Sequence, residues 1–388
     1  MRSAARPTLV RGDGLYVWDS EGRRYLDAIS GAFCVQLGYG RDDLALALKE
    51  TASRLPFARA ATSDSAESLA YAHELLDRAG PPFARAIFTS SGSEAVDVAI
   101  KVAWRYQEAI GHPERTRVES VKGHFHGATI GALSVTGFGA RRNPYARVLR
   151  SEDDPAPVAA HIEETIPAAG LGAPVPPPGH LARIRETCDA TGSLWIADEV
   201  LTGFGRVGDL FAWSRLRERE GDQAAVPDVV VFGKGAGAGY ASIGGVLLSG
   251  RVAEALESFS HAQTYAGHAV ACAVARRVLA ALEGEGIMPR VRALEREARA
   301  ALDPVASHHQ VKDVRGLGFL WGIDLAGASE PVEALCRKRG ILVYAGPGCL
   351  LIAPPLIASV SDFNVIAAGI TGALDEAVEA PRNARSSR

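Results

Sequence analysis

Cysteine and lysine are scarce in this 388-residue chain, and neither residue type is clustered. The five cysteines are an odd number, lie far apart and form no Cys-x-x-Cys pair, which argues against a disulfide framework and against a zinc site. No run of 18 apolar residues is available to span a membrane, and Met1–Val10 lacks the apolar stretch of a signal peptide. We therefore expect a cytoplasmic protein with reduced thiols, outside any membrane.

The chain also lacks an excess of charge of one sign. Its 42 basic and 45 acidic side chains give a net charge of −3, and no basic run is present, which disfavours binding to nucleic acid. Hydrophobic residues make up 47% of the chain and charged residues 22%, so the composition is that of a globular protein with a sizeable core. The length predicts two to three domains, or one large domain with a smaller one.

Short apolar runs alternate with helical patterns through the middle of the chain, which is typical of an α/β fold with a largely parallel sheet. Ala86–Thr89 predicts a strand, and Glu94–Tyr106 predicts a helix that follows after a turn of small residues. Two further strands, Leu194–Ala197 and Val229–Phe232, are each followed by charged residues. The pattern therefore predicts charged side chains at the ends of buried strands.

The remainder of the chain predicts a smaller domain. Gly14–Ile29 alternates apolar and polar residues around turn signals, as in a small antiparallel sheet. Pro167–Gly179 is too rich in proline for a helix or an inner strand and is expected to be a surface loop. We assign residues 1–60 to the N-terminal part of the small domain, residues 61–270 to the large domain, and residues 271–388 to the C-terminal part of the small domain.

Only one of the six lysines follows an apolar strand. Lys234 follows Val229–Phe232 after a single glycine and begins the glycine-rich segment up to Gly239, whose backbone is free to approach a bound cofactor closely. A lysine at the end of a buried strand loses part of its hydration, which lowers its pKa and favours Schiff-base formation. A solvated lysine in a flexible loop explains the spacing equally well.

Two other features suit the same cofactor chemistry. Asp198 ends the strand Leu194–Ala197, where a carboxylate can keep a pyridinium nitrogen protonated, as pyridoxal phosphate requires. The turn Ser91–Ser93 at a helix start offers hydroxyl groups, N–H groups and the positive end of the helix dipole to a phosphate. Taken singly, Asp198 and this turn are also explained as ordinary helix caps.

Several motifs together resemble the class III, fold type I aminotransferases that depend on pyridoxal phosphate. Asp198–Arg206, followed by Pro227–Gly235, is similar to the signature of that class. Ser30–Arg41 resembles the same region of its ω-transaminases. Further similar stretches are Ser91–Ala95, Phe125–Gly127, Thr264–His268 and Ala353–Leu356. The motifs run in the family's order from about Gly12 to Ala377.

The resemblance implies an architecture and a homodimer. The expected fold is a large domain with a mostly parallel seven-stranded sheet between helices, plus a smaller α/β domain built from the N- and C-terminal segments. Thr264 is expected to reach the phosphate bound by the neighbouring subunit, so the active sites are shared between two copies of the chain.

The resemblance also assigns roles around pyridoxal 5'-phosphate. Lys234 is expected to hold the cofactor aldehyde as an internal aldimine and, once freed, to carry the proton between substrate and cofactor. Asp198 is expected to bind the ring nitrogen. The remaining residues expected at the cofactor are Val200 and Phe125 on the two ring faces, Ser91, Gly92 and Ser93 at the phosphate, and His126 nearby without a direct catalytic role.

The sequence departs from the family where many relatives have an arginine that binds a substrate carboxylate. Leu351 and Tyr344 occupy these positions, and neither side chain forms an ion pair. We therefore expect a donor whose reacting carbon bears no carboxylate. Glu163, without an arginine partner, is expected to face a cationic amine, and Phe33, Glu163 and Tyr344 are the candidate substrate-pocket residues.

The preferred interpretation is an aminotransferase that alternates between a donor amine and a keto or aldehyde acceptor. A racemase, decarboxylase or aminomutase with the same cofactor remains open, because these enzymes share the lysine, the aspartate and the phosphate turn. A non-catalytic relative is a third interpretation, which the intact site residues argue against. A nucleotide-binding protein is disfavoured, because the glycines after Phe232 match neither the dinucleotide nor the phosphate-loop pattern.

Overall fold

The computed structural model describes residues 6–149, 154–221, 225–257, 259 and 261–386. The strands are β1 (Leu9–Asp13), β2 (Tyr16–Asp19), β3 (Arg24–Asp27), β4 (Phe83–Thr89), β5 (Arg117–Ser120), β6 (Val158–Glu164), β7 (Leu194–Asp198), β8 (Val229–Phe232), β9 (Gly244–Ser249), β10 (Val311–Leu317), β11 (Leu320–Leu325), β12 (Ile341–Leu342), β13 (Tyr344–Gly346) and β14 (Cys349–Ile352). The helices are α1 (Ser30–Phe33), α2 (Asp42–Arg54), α3 (Ala66–Ala79), α4 (Gly92–Ala109), α5 (Ile130–Ser134), α6 (Gly139–Arg142), α7 (His180–Thr191), α8 (Ala212–Glu220), α9 (Gly250–Ala255), α10 (Ala269–Gly284), α11 (Ile287–Ala301), α12 (Asp303–Ala306), α13 (Ser329–Lys338) and α14 (Val360–Ser386).

The largest sheet has the strand order β4-β9-β8-β7-β6-β5. Strands β5 to β8 run parallel to one another, and β9 is antiparallel to both β8 and β4. The predicted α/β fold with a mostly parallel sheet is confirmed. In such a sheet the carboxyl ends of neighbouring parallel strands lie along one edge, which is where open α/β proteins bind ligands.

The expected number of seven strands is wrong for the part of the chain that the structure describes, where this sheet has six. Between β5 and β6 the described residues form α5, α6 and a short 3-10 turn, and none of them extends along the outer edge of β5. Gly137, Gly139 and Pro144 interrupt this segment, and such residues disfavour a continuous strand.

Helices cover both faces of this sheet, which explains why its central strands are apolar throughout. Leu194 and Ile196 of β7 pack in the same cluster as the buried face of α4. Trp195 points to the other face, where it packs in a cluster with Leu181 and Cys188 of α7. The sheet is thereby held rigidly from both sides, and the residues at its carboxyl edge have fixed positions.

Two smaller four-stranded sheets complete the fold, with the orders β1-β2-β3-β12 and β10-β11-β14-β13. The predicted antiparallel piece near the N-terminus is present as β2 and β3. Strand β12 pairs in parallel with β3, so N- and C-terminal segments share a sheet. The exact domain boundaries stay a prediction. None of the helices in the described ranges combines the length and apolar character needed to cross a bilayer.

Candidate active site

Three charged residues lie at the carboxyl ends of adjacent parallel strands. Glu164 ends β6, Asp198 ends β7, and Lys234 follows β8 after a single glycine. Glu164 and Asp198 are direct partners in the register of the two strands. We call these three residues, together with His126, the carboxyl-end cluster. The parallel sheet brings together residues that lie far apart in the sequence.

Asp198 is a buried carboxylate with two partners in the protein. Its Oδ2 atom lies 2.7 Å from Nδ1 of His126, and its Oδ1 atom accepts a hydrogen bond from the Val200 N–H at 3.0 Å. The other ring nitrogen of His126 lies 3.2 Å from the Ser120 hydroxyl. Because an ionised carboxylate only accepts, the geometry places a proton on Nδ1 of His126. His126 therefore orients Asp198, and its expected indirect role at the cofactor stays a prediction.

Lys234 is half-buried and has a φ of 41°, in the left-handed region that few non-glycine residues adopt. Burial lowers the pKa of its amine, while the charges of Glu164, Asp198 and Cys34 act in the opposite direction. The next residue, Gly235, packs against the amide of Gln36, which donates to the Gly203 carbonyl at 3.2 Å. The strained backbone thus holds the lysine at the sheet edge, with a pKa suited to a nucleophilic amine.

The start of α4 lies next to this edge. Ser91 is the N-cap residue, and its hydroxyl accepts the Glu94 N–H at 3.3 Å. The hydroxyl of Ser93 accepts the Ala128 N–H at 3.1 Å. At Gly92, a Cβ atom would lie 2.7 Å from Cγ1 of Val200, so only glycine fits. Since the first N–H groups of a helix have no partner within the helix, this turn offers donors to an anion.

Phe125 is linked to the cluster through its backbone. Its N–H donates to Oε2 of Glu164 at 2.8 Å, and the Glu164 N–H donates to Nδ1 of His124 at 3.0 Å. Burial raises the pKa of Glu164 to about 7, with a further contribution from the nearby charge of Asp198. Burial lowers the pKa of His124 to about 3, so this imidazole is neutral and accepts the hydrogen bond. Sequence reasoning missed both Glu164 and His124.

Phe33 lies beside Lys234, and Tyr344 contacts Phe33. The Phe33 ring centroid is 5.7 Å from the Lys234 amine and 5.7 Å from the Tyr344 ring, which meets it edge to face. Tyr344 pairs with Leu351 between β13 and β14, and Leu351 is fully buried. We call Phe33, Tyr344 and Leu351 the apolar wall. The structure thus brings together two of the three candidate substrate residues.

Glu163 is the candidate that does not join them. Its two carboxylate oxygens each lie 3.2 Å from Nε2 of His180, at the start of α7. Neighbouring residues of a strand point to opposite faces, and it is Glu164 whose charge acts on Lys234. The expectation that Glu163 faces the substrate is therefore not supported. The register pairing of Glu164 with Asp198 shows that Glu164 is the glutamate opposite Asp198, and the substrate role expected for Glu163 stays a prediction.

Thr264 lies in an exposed turn that precedes α10. The same turn contains Tyr265, which is 55% exposed and meets the ring of Phe57 edge to face. An exposed position is compatible with the expected reach of Thr264 into a neighbouring subunit, which stays a prediction.

The geometry of these residues fits pyridoxal 5'-phosphate. Asp198, buried and oriented by His126, offers a carboxylate to a ring nitrogen. Gly92 begins α4 and packs against Val200 with no room for a side chain, and the N–H groups of a first helical turn are suited to binding a phosphate. The amine of Lys234 lies within the electrostatic influence of Asp198, and the preceding residue, Gly233, packs against Gly92. The residues present would therefore hold the ring, the phosphate and the aldehyde of this cofactor.

Comparison with known proteins agrees with this geometry. The class-III aminotransferase family matches residues 3–143 and 139–374. A probable aminotransferase of Mycobacterium tuberculosis is 32% identical over 93% of this chain and 88% of that protein. The chloroplastic gamma aminobutyrate transaminase 3 of Solanum lycopersicum is 28% identical over 92% of this chain and 78% of that protein.

Solved structures give the same result. A PLP-bound amine transaminase from an uncultivated Pseudomonas species is 29% identical, with a TM-score of 0.88, and the match covers 96% of this chain and 95% of that one. The omega transaminase of Pseudomonas jessenii in complex with PMP is 26% identical, with a TM-score of 0.87 and coverage of 96% and 93%. The chain therefore belongs to the class-III aminotransferases and is an enzyme that uses pyridoxal 5'-phosphate.

Proposed function

We propose that this aminotransferase takes its amino group from an amine whose reacting carbon bears no carboxylate, and passes it to a keto or aldehyde acceptor in a ping-pong cycle. The observation that carries the proposal is the apolar wall beside Lys234. The Phe33 ring lies 5.7 Å from the Lys234 amine, Tyr344 packs edge to face against Phe33, and the buried Leu351 stands where many relatives are expected to have an arginine. Such a surface favours aromatic or aliphatic groups over a carboxylate, because burying an unpaired charge is costly.

Arg206 is the arginine closest in sequence to the cluster residue Asp198, and the protein occupies both of its terminal amino groups, whereas its buried Nε has no partner in the described part of the chain. Arg206 is fully buried, and its guanidinium donates to the carbonyls of Phe319 and Pro354 and to the hydroxyl of Ser30. Burial lowers its pKa to about 9, against the opposing charge of Asp27. Arg206 therefore joins segments of the fold to one another and does not serve as a carboxylate clamp.

The cofactor supplies an electron sink that stabilises the carbanion formed when the substrate loses its proton. In our proposal Lys234 anchors the cofactor and, as a free amine, moves that proton at its Nζ atom. Asp198 keeps the ring nitrogen protonated, with His126 fixing its orientation. Val200 and Phe125 would lie on the two ring faces, and Gly92 and Ser93 would bind the phosphate, with Ser91 as the helix cap.

The named substrate of several relatives is consistent with this donor class. Gamma-aminobutyrate transaminases of tomato and rice are among the similar proteins, and the amine-bearing carbon of γ-aminobutyrate has no carboxylate attached. We further propose a homodimer in which the exposed Thr264 contacts the phosphate bound by the partner, and a cytoplasmic location, in which the five free thiols remain reduced.

The test uses the visible absorbance of the purified holoenzyme and a pair of donors that differ only in the carboxylate. Benzylamine and phenylglycine are each added without an acceptor, and the loss of the yellow band is followed. We expect benzylamine to bleach the band at least about tenfold faster, which corresponds to about 1.4 kcal/mol of discrimination. Subsequent addition of an aldehyde or keto acid is expected to restore the band, as a ping-pong cycle requires. Faster bleaching by phenylglycine would contradict the proposed donor class.

A further inference from the structure

Glu164 is a second carboxylate in the cofactor site, and the proposed function gives it no role. Its side chain is buried, and its strand position is directly opposite Asp198. Two adjacent carboxylates repel each other when both are ionised, and burial adds to the cost. A group in such a position either carries a proton or depends on a nearby cation.

The groups that face Glu164 come from three elements. Asp198 at the end of β7 carries a negative charge, whereas His126 on the segment after β5 and Lys234 after β8 are the two groups that attract its carboxylate. His124 accepts the Glu164 N–H through Nδ1 and is neutral, so it adds no counter-charge. The Phe125 N–H completes the hydrogen bonding of the carboxylate. Of these two groups, Lys234 is the one to which we assign a part in the reaction. Its charge and that of Glu164 therefore depend on each other.

Glu164 in turn affects the pKa of the Lys234 amine. Among the charged groups around Lys234, Glu164 has the largest effect in raising the pKa of the amine, ahead of Asp198 and Cys34. Asp198 is committed to its bonds with His126 and the Val200 N–H. Glu164 has one backbone donor on its carboxylate and is free to change its charge.

We propose that Glu164 is a positioning residue for amino-group transfer, and that its charge sets the proton affinity of the Lys234 nitrogen. An ionised Glu164 holds a proton on that nitrogen, and a protonated Glu164 releases it. Because the pKa of Glu164 is raised to about 7 by burial, this change of charge falls near neutral pH. The two groups then titrate as a coupled pair and not as independent sites. This inference rests on the proposed role of Lys234 as the cofactor anchor.

The test is a pH titration of the visible band of the holoenzyme, which reports the proton on the cofactor-linked Lys234 nitrogen. Glu164→Gln removes the charge at nearly constant size, and its amide oxygen still accepts the Phe125 N–H. We expect the midpoint to fall by about one pH unit, because an opposite charge within a few ångströms shifts a pKa by that amount or more. This shift is a tenfold change in proton affinity. A midpoint equal to that of the wild type would overturn the proposal.

Glu163→Gln is the matched control, because it removes the same charge from the adjacent residue of β6, whose carboxylate faces His180. Its midpoint is expected to equal that of the wild type. If Glu164→Gln does not retain the cofactor, Glu164→Asp and Glu164→Asn are compared, since these two side chains differ in charge and hardly in size. The midpoint of the Asn variant is then expected below that of the Asp variant, and equal midpoints would overturn the proposal.

A separate measurement distinguishes this inference from the assignment of Lys234. Borohydride reduction of the wild-type holoenzyme, followed by peptide mass spectrometry, shows which lysine carries the cofactor. Labelling of another lysine contradicts the proposed anchor and the inference with it. Labelling of Lys234 together with an unshifted midpoint in the charge-removed variants contradicts the inference alone.

Discussion

The carboxyl-end cluster contains Lys234 and the apolar wall adjoins it, yet the two are held together by different kinds of contact. In the cluster, directional contacts fix each charged group: Asp198 bonds His126, and Glu164 bonds the Phe125 N–H. In the wall, Phe33 meets Tyr344 through ring contacts, and Leu351 has no polar atom in its side chain. One side is specified by hydrogen bonds and charge, the other by shape.

This difference indicates that the cluster determines the rate of the reaction and that the wall determines which substrate is preferred. A buried charge without a partner costs several kcal/mol, so a cluster of charges tolerates few arrangements. Apolar contacts are non-directional and roughly proportional to area, so a wall of rings and aliphatic groups changes its shape at modest cost. We therefore expect substitutions in the cluster to affect turnover strongly and those in the wall to change which amine is preferred.

Lys234→Ala is the substitution with the largest expected effect. Without the amine, no side chain in the cluster is placed to move the proton, and a positioned proton carrier contributes up to roughly 10⁴-fold to a rate. We expect transamination to fall by about that factor while the thermal unfolding temperature changes little, measured by amine-donor turnover and by melting. Lys49→Ala, at an exposed position of α2, is the control and should retain full activity. Substantial turnover in Lys234→Ala would show that the cluster does not carry the chemistry.

The same difference between the cluster and the wall explains which residues of the site the sequence predicts well. Asp198 and Lys234 are each the first charged residue after an apolar strand, so the pattern alone locates them at the edge of a parallel sheet. The phosphate turn at Ser91–Ser93 is recognisable for a similar reason, because strand, small residues and helix follow one another directly. Local sequence encodes these features, and the parallel sheet needs only to bring the strand ends together.

The choice between Glu163 and Glu164 shows where sequence reasoning is insufficient. Both residues end the same strand, and a shift by one position reverses the face to which a side chain points. The register with β7 resolves the question, and register is a property of two segments. The apolar wall presents the same difficulty, since Phe33 and Tyr344 are more than 300 residues apart in the chain. The number of strands in the described part of this sheet likewise depends on the segment of short helices between β5 and β6, which a family expectation does not reveal.

Gly92→Ala tests how closely the cluster is packed and has an intermediate expected effect. The added Cβ would lie 2.7 Å from Cγ1 and 2.9 Å from Cγ2 of Val200, so either the helix start or the valine must move. Overpacking of this kind costs about 1–3 kcal/mol, and we expect cofactor affinity to fall by about tenfold, measured by titrating the apoenzyme with pyridoxal phosphate.

Two matched variants serve as controls for the Gly92→Ala substitution. Gly284→Ala, where a Cβ meets nothing within 4 Å, should bind the cofactor as the wild type does. The double variant Gly92→Ala with Val200→Ala removes the collision and is expected to recover part of the affinity. Unchanged affinity in the single Gly92→Ala variant would mean that the helix start adapts freely, in contrast to the rigid geometry described for the cluster.

Tyr344→Leu carries the smallest expected effect and addresses the wall directly. It removes the edge-to-face contact with Phe33, whose centroid lies 5.7 Å away, and leaves an apolar side chain in place. An aromatic pair contributes about 0.5–1.5 kcal/mol beyond its buried area, so we expect the KM for an aryl amine to rise by a few-fold while kcat changes little. Tyr344→Phe keeps the ring and should behave as the wild type. If Tyr344→Phe lost as much as Tyr344→Leu, the hydroxyl group would be the important feature, and this side of the site would recognise its substrate through a polar contact as the carboxyl-end cluster does.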